Sequence, residues 1–487
     1  MNVGKVTTLQ GLLRVNAAQR PDATAVIDTP QGCEMRRLTY RELDGTVAAV
    51  AGRLHELRLG SGEVVALQAL NCAETVAAFF GILRAGCIPA LVPVLWRHGD
   101  AAAALSDVHA RALIAAPADD GTELAETALR TAAETFSVRH VLAFGESVPD
   151  GMVPLGRLAE ARGSEGLAEA DEAARRAVII TFETSQDGHV PLARTDKAFL
   201  AGGAAMVLEA GLARHAAVLG TMLPSSFAVL GTTMVPWLLT GGMLALHAPF
   251  DAEAFALLDR TAEADLVVVP GPLAEALAEV GIVGRRRRNT VAALWRSPEL
   301  QQAAAVPWSG AARLLDVLAF GEAGFVALPR SREGRSARLK AGRVTAPWDN
   351  PDGLTVATLA RSAAGTLVVS GPMAPRPFSD FSEKREPRLE EPIDTGYPCG
   401  LAADGTLTLS GPPPGLVSIG GYRFAIEDLR AIVRRIAPES VLAALPDVLA
   451  GQKLAGAAAD IDRVRSALAE HGANPLVGAA FRDRRAG

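Results

Sequence analysis

From Thr39 to Val94 the chain alternates helical and strand patterns with short joints, and this constrains the fold more than any other stretch. LTYRELDGTVAAVAGRLHELRLG carries apolar residues at helical spacing. Thr39 stands three residues before Glu42, the spacing of a capping box, and Gly60 is expected to end the helix. GEVVALQAL is an apolar run of strand length, AETVAAFFGILRAG a second helix closed by Gly86, and IPALVPV the next strand. Strand, helix and strand with Gly-marked joints imply parallel strands joined by crossovers, hence a layered α/β domain. The pattern returns in AVIITF, AAVLGTML, GMLALHA and ADLVVVP, separated by helical stretches such as DKAFLAGGAAMVLEAGL.

A chain of 487 residues exceeds what one core organises, so more than one domain is expected. Beyond about residue 340 the texture changes to short strands with turn signals, TVATLA, GTLVVSG and GTLTLSG, which read as a β-rich subdomain over about 340–411. PPPG after Gly411 is the sharpest linker signal. We therefore expect a large N-terminal α/β domain over 1–411 and a small α+β lid over 412–487. The lid reads as a hairpin, LVSIGGYRF, a helix from Ile426 to Ile436 and a second helix near IDRVRSALAEHG.

Several function classes are disfavoured by composition. The N-terminus lacks the apolar stretch of a secretory signal, and even Phe227 to Leu239 is interrupted by Gly231, Thr232, Thr233 and Pro236, so no membrane span is expected. Cys33, Cys72, Cys87 and Cys399 are too scattered for a disulfide framework or a metal site, which suits free thiols in a reducing, cytoplasmic setting. The basic run Arg285 to Arg288 has no interleaved aromatics and reads as a solvated loop, not as a nucleic-acid surface. No G-x-S-x-G elbow supports a serine hydrolase.

Colinear segments from about residue 10 to 435 resemble the superfamily of acyl-CoA synthetases, adenylation domains and luciferases, the adenylate-forming enzymes. PDATAVID with LTYRELD resembles the entry segment, and LNCAETVAAFFGILRAGCIPALVPV its N-x-x-E helix and strand. AGTLVVSGPMAP looks like the G-E-L-x-x-x-G segment, and DTGYPCGLAADGTLTLSGPPPGLVSIGGYRFAIEDL like the run from T-G-D to G-G-x-x-I-x-x-x-E. The resemblance implies attack of a carboxylate on the α-phosphorus of ATP, with Mg2+, giving an acyl-adenylate and pyrophosphate. It implies as partners a small acyl or aryl acid and CoA or an acyl-carrier protein. Such chemistry needs phosphate donors, a metal ligand, a ribose clamp and a cation on the developing charge.

Each requirement is eroded. The phosphate loop T-S-G-[ST]-T-G-x-P-K corresponds to TFETSQDGHVPLART, where Thr184, Ser185, Gly188 and Pro191 remain but no lysine follows the proline. Glu183 and Asp187 bring negative charge where polyphosphate would sit, a repulsion of roughly 3 kcal/mol per charge pair at about 5 Å. An ordinary strand-to-helix turn is the better reading of this loop. In VLAFGEAGFV, Gly321 and Glu322 correspond to the metal and adenine segment Y-G-x-T-E, with a solvated or N-cap role for Glu322 equally in play; a second register would put Gly324 at the glutamate position. Tyr397 stands at the ribose aspartate, and a phenol cannot accept from both ribose hydroxyls as a carboxylate does. The catalytic lysine position reads Gly478-Ala479, and Lys453 resembles a different, non-catalytic lysine. Arg482, Arg484 and Arg485 read as a solvated terminal cluster.

The resemblance places an acyl pocket along LPSSFAVLGTTMVPWLL, with Phe227 as gate and Gly231 and Met234 lining it, against a plain core role. Losing one electrostatic contact costs about 3 to 4 kcal/mol in such reactions, so several losses leave little adenylation. Three functions follow: a pseudoenzyme that binds an acyl group, a carrier protein or another protein; a ligase working through substitute residues with ATP and Mg2+; and ATP-independent acyl transfer or condensation. In the family the lid pivots near Ser410 to Gly415, where three prolines favour a stiff polyproline II spacer.

Overall fold

The computed structural model describes residues 8–29, 34–116, 122–145, 147–158, 178–301, 307–379 and 391–482. Cys33, Arg484 and Arg485 lie outside the described residues; Cys72, Cys87 and Cys399 are buried free thiols.

The capping box forms as its spacing predicts. Thr39 accepts from the Glu42 amide at 3.2 Å while the Glu42 carboxylate accepts from the Thr39 amide at 2.7 Å, and the helix Tyr40–Glu56 follows. Its end differs from expectation. The chain turns at Arg58, which takes φ 62°, before Gly60 is reached. That helix packs on Ala73–Arg84 so closely that a Cβ at Gly81 would stand 2.4 Å from Val50. Trp237 fills the space beside them, stacked on Tyr40 at 6.0 Å and edge-on to Phe80 at 6.2 Å.

Among the described residues the strands gather into four sheets. The first holds eight, in the order Phe325–Arg330, Arg313–Ala319, Thr290–Trp295, Leu266–Pro270, Val218–Gly220, Leu244–His247, Thr24–Thr29 and Arg36–Thr39. It is parallel apart from an antiparallel pair at each edge. In the second, the strands Val178–Ser185, Ile88–Leu91, Val64–Ala69, Ala112–Ala116, His140–Ala143 and Met152–Pro154 run parallel. Gly188–Thr195 and Arg376–Pro377 extend it antiparallel. The third is antiparallel, Gly342–Ala346, Leu354–Arg361, Thr366–Ser370, Ile393–Leu401 and Leu407–Leu409, the β-rich part. Layered α/β architecture with parallel sheets is thus the fold.

The fourth sheet, Leu416–Ile419, Tyr422–Ala425, Gly451–Ala457 and Val441–Asp447, carries the helices Ile426–Ile436 and Ile461–Glu470 on a core of its own, including Val417, Phe424, Val433, Leu468 and Phe481. The segment joining it to the rest is not a straight spacer. Leu416 N donates to Pro413 O at 3.1 Å and Gly415 takes φ 76°, so Pro414-Gly415 form the centre of a type II turn, which suits proline followed by a left-handed glycine.

Candidate functional site

One segment from each of the four sheets reaches a common point. Glu183 lies near the end of Val178–Ser185, the turn Phe320–Gly324 joins two strands of the first sheet, Tyr397 sits on Ile393–Leu401, and Arg423 on Tyr422–Ala425. Glu183 Oε1 accepts from Arg423 Nη1 at 2.7 Å and its Oε2 from the Glu322 amide at 2.5 Å. The other arm of the guanidinium, Nη2, donates to the Tyr397 hydroxyl at 2.5 Å, and its centre lies 5.2 Å from the Tyr397 ring. Gly321 makes this convergence possible. It adopts φ 57°, and a Cβ there would stand 2.0 Å from Glu183 Oε2.

The electrostatics follow from burial. Burial alone would lower the Arg423 pKa, but Glu183 and Tyr397 outweigh it and hold the guanidinium above its ordinary range. The Tyr397 phenol, 1% exposed, is pushed up by burial against the pull of Arg423. Tyr397 therefore stays protonated at neutral pH and accepts from the guanidinium through its lone pairs.

A second polar pair lies deeper. Glu322, 5% exposed, accepts from the Phe227 amide at 3.0 Å, at the start of the short helix Phe227–Thr232, and stands 3.6 Å from Arg194. Burial raises its carboxyl pKa, with Arg194 counteracting. Arg194 is lowered to about 10, again by burial, and remains charged at neutral pH. It donates to Met373 O and the Thr181 hydroxyl, and its guanidinium lies 4.0 Å over the Phe227 ring; its Nη2 has no hydrogen-bond partner among the described residues. Glu322 is thus neither solvated nor an N-cap residue: it is buried and accepts from the first amide of a helix far away in the chain, whose N-cap is Ser226.

The segment expected as a remnant phosphate loop is a strand-to-strand hairpin, not the strand-to-helix turn expected. Ser185 pairs with Gly188 across the two-residue turn Gln186-Asp187. Its hydroxyls are turned to near neighbours: Thr184 Oγ1 lies 3.2 Å from His189 Nδ1, and Ser185 Oγ donates to Gly188 O and accepts from the Asp187 amide. His189 stacks on Trp96 at 3.9 Å. Thr184, Gly321, Glu322 and Arg423 line a cavity of about 40 Å³, closed in part by Trp96 and Tyr422. That volume holds a few waters, whereas ligand pockets run to roughly 300–1,000 Å³.

The residues expected around an acyl group are brought together and packed. Phe227 meets Phe199 at 5.1 Å and Phe325 at 5.6 Å, Met234 is 4% exposed, and a Cβ at Gly231 would stand 2.7 Å from Phe325. Ala479 follows the short helix Pro475–Gly478, and Lys453 is exposed, 3.6 Å from Asp447. Arg286 of the basic run pairs with Asp259 at 2.5 Å. Among the described residues no group of three or more His, Cys, Asp or Glu could hold a metal ion, and no helix is long and apolar enough to cross a membrane.

Two residues of the site escape a reading by motif. Arg423 sits at a variable position of G-G-x-x-I, and Arg194 lies beyond the loop's final proline. The signal for Arg194 was a lone charge in the otherwise apolar VPLAR.

The profile of the AMP-binding enzyme family matches residues 13–180. Over 476 residues the chain is 26% identical to 2-hydroxy-7-methoxy-5-methyl-1-naphthoate–CoA ligase of Streptomyces carzinostaticus, covering 90% of this chain and 81% of that protein. It is 30% identical over 142 residues to the salicyl-AMP ligase / salicyl-S-ArCP synthetase of Mycobacterium tuberculosis, 29% of this chain and 25% of that one. Among solved structures it matches amide bond synthetase McbA of Marinactinospora thermotolerans with a TM-score of 0.71 at 18% identity, covering 96% and 93% of the two chains. The anthranilate CoA ligase AuaEII in complex with anthranoyl-AMP gives 0.64 at 16% identity over 96% and 92%. At these identities the structures establish the fold.

Proposed function

The chain belongs to the adenylate-forming superfamily, and from that premise we propose that it has lost most or all adenylation and serves as a carrier- or partner-binding pseudoenzyme. The observation that carries this reading is the occupancy of the convergence point. Tyr397, at the expected ribose position, is bonded to Arg423, which is bonded to Glu183. A nucleotide would have to displace a partly buried ion pair and a buried phenol together. Breaking such a pair commonly costs about 3 to 5 kcal/mol, comparable to the whole binding energy of a millimolar ligand.

The residues present do not fit ATP with Mg2+. Glu322 is spent on a helix amide and Arg194, the Thr184 and Ser185 hydroxyls are spent within their hairpin, and Ala479 offers no cation. The packing of Phe325 against Gly231 disfavours a standing acyl pocket. This weights the reading toward a protein partner, a carrier protein among them, over a free acid.

Calorimetric titration with ATP and Mg2+ tests the reading. Affinity weaker than about 1 mM, or about −4 kcal/mol, is expected. Saturation at micromolar ATP would overturn it.

A second reading, a ligase working through substitute residues, is favoured by one observation. The similarity to the naphthoate–CoA ligase runs over 90% of this chain. Pyrophosphate release with a panel of aryl acids and CoA would establish it and displace the first.

A further inference from the structure

The ion pair between Glu183 and Arg423 joins two bodies with separate cores. Val417, Phe424, Val433 and their neighbours pack among themselves, whereas the main core ends with Leu409. Beside that pair, other contacts cross the boundary, among them the Arg296 guanidinium 5.9 Å from the Tyr422 ring. Ser297 Oγ and Ser418 Oγ lie 2.9 Å apart, and Gln186 Nε2 donates to Pro414 O at 2.5 Å. The backbones of Gly99 and Gly472 meet so closely that a Cβ at Gly472 would stand 2.6 Å from Gly99 N.

We infer that Arg423 is a latch: docked between Glu183 and Tyr397, it holds the C-terminal unit in one orientation without any ligand. Glu183 is prepared to receive it. Its carboxylate already accepts from the Thr184 and Glu322 amides, which fix its two oxygens toward the guanidinium. The pair is shielded, with Arg423 9% and Glu183 24% exposed, so the attraction escapes much of the screening that weakens surface pairs. Gly321 is part of the device. Any side chain there would collide with both Glu183 and Arg423 Nη1. Glu183 thus serves as the countercharge of the lid and not merely as a repulsive charge toward phosphate. The latch does not depend on the loss of adenylation, since a ligand-competent protein could carry it as an autoinhibitory contact.

Single-molecule energy transfer tests it, with donor and acceptor on the exposed residues Glu253 and Asp462 of the full chain. The unliganded wild type should give one narrow distance distribution. Arg423→Gln and Glu183→Gln should each shift the docked-to-undocked ratio by roughly 100-fold, producing a second or broadened population. The double variant should be no looser than either single one, because the two groups act as a unit. Arg434→Gln, on the exposed face of the helix Ile426–Ile436, should leave the distribution unchanged. Tyr397→Phe keeps the ring and removes only the hydroxyl; it should loosen docking several-fold, which keeps the test alive if a charge variant folds poorly. Two populations in the wild type, or Arg423→Gln and Tyr397→Phe distributions identical to it, would overturn the inference.

Discussion

Two bridging arginines in this molecule do the same local chemistry with different consequences. Arg36 bridges Asp28 and Glu74, donating to both carboxylates of Asp28 and Glu74 at 2.5 to 3.0 Å. Arg423 bridges Glu183 and Tyr397 at 2.7 and 2.5 Å. The first triad lies inside one continuous core, where Asp28 also accepts from the Ala73 amide and so ties the strand Thr24–Thr29 to the helix Ala73–Arg84. The second spans a boundary between cores. An arginine bridge within a core is inseparable from folding, whereas the same bridge between cores sets how two folded pieces sit.

The largest expected effect breaks that comparison at its first member. Asp28 is 1% exposed, and burial already raises its pKa against the pull of Arg36. Arg36→Ala would leave two buried carboxylates unmatched and should cost about 4 kcal/mol in urea unfolding of the main body. Arg423→Gln should leave that unfolding midpoint where it is while loosening the lid. A similar loss of main-body stability in both variants would erase the distinction.

A smaller effect sharpens it through a device that needs no charge pair across the core. Thr39 and Glu42 satisfy each other's backbone at the start of the helix Tyr40–Glu56. Thr39→Ala should cost about 1 to 2 kcal/mol in the same measurement, with no change in lid docking. An unchanged midpoint would mean that the tertiary contacts of Tyr40 and Leu43 alone fix the helix start.

What was legible in the sequence divides along the same line. The capping box, the helix Ile426–Ile436 and the strands of the parallel sheets were readable because periodicity and caps act over a few residues. Local reading failed where geometry overrode composition. Arg58 makes the turn that Gly60 seemed to mark, and PPPG bends because Gly415 completes a type II turn. The hairpin at Gln186-Asp187 lacks an Asn-Gly pair, so its two-residue turn went unseen. The site itself was half legible. Departures from the family pattern at Glu183, Asp187, Tyr397 and Ala479 could be seen position by position. The ion pair that fills the site could not, because Glu183 and Arg423 are 240 residues apart and no spacing rule joins them.

The smallest effect concerns a third arginine, one that fails to bridge. Glu209, 2% exposed near the end of the helix Asp196–Ala210, has Arg313 Nη2 at 3.7 Å, too far for a hydrogen bond, and neither carboxylate oxygen has a hydrogen-bond partner among the described residues. Arg313 spends its Nη1 on the Glu209 carbonyl oxygen instead and is itself half exposed. Burial therefore dominates and pushes the Glu209 carboxyl up to about 7, with the Trp348 backbone and Arg313 opposing it only in part. In the unfolded chain the group titrates near its usual value of about 4.3. Because the folded state holds its proton more tightly, the stabilisation it provides is complete below that value and is lost as pH rises from there through about 7. Solvent reaching Arg313 screens the site, so the loss should amount to about 1 kcal/mol and not the full value of the shift. Glu209→Gln keeps the shape and removes the titration. Its unfolding free energy should match the wild type below about pH 4 and exceed it by about 1 kcal/mol at pH 8. Parallel pH profiles for the two proteins would show that Arg313 does neutralise Glu209, and that a bridging geometry is not what distinguishes the three arginines.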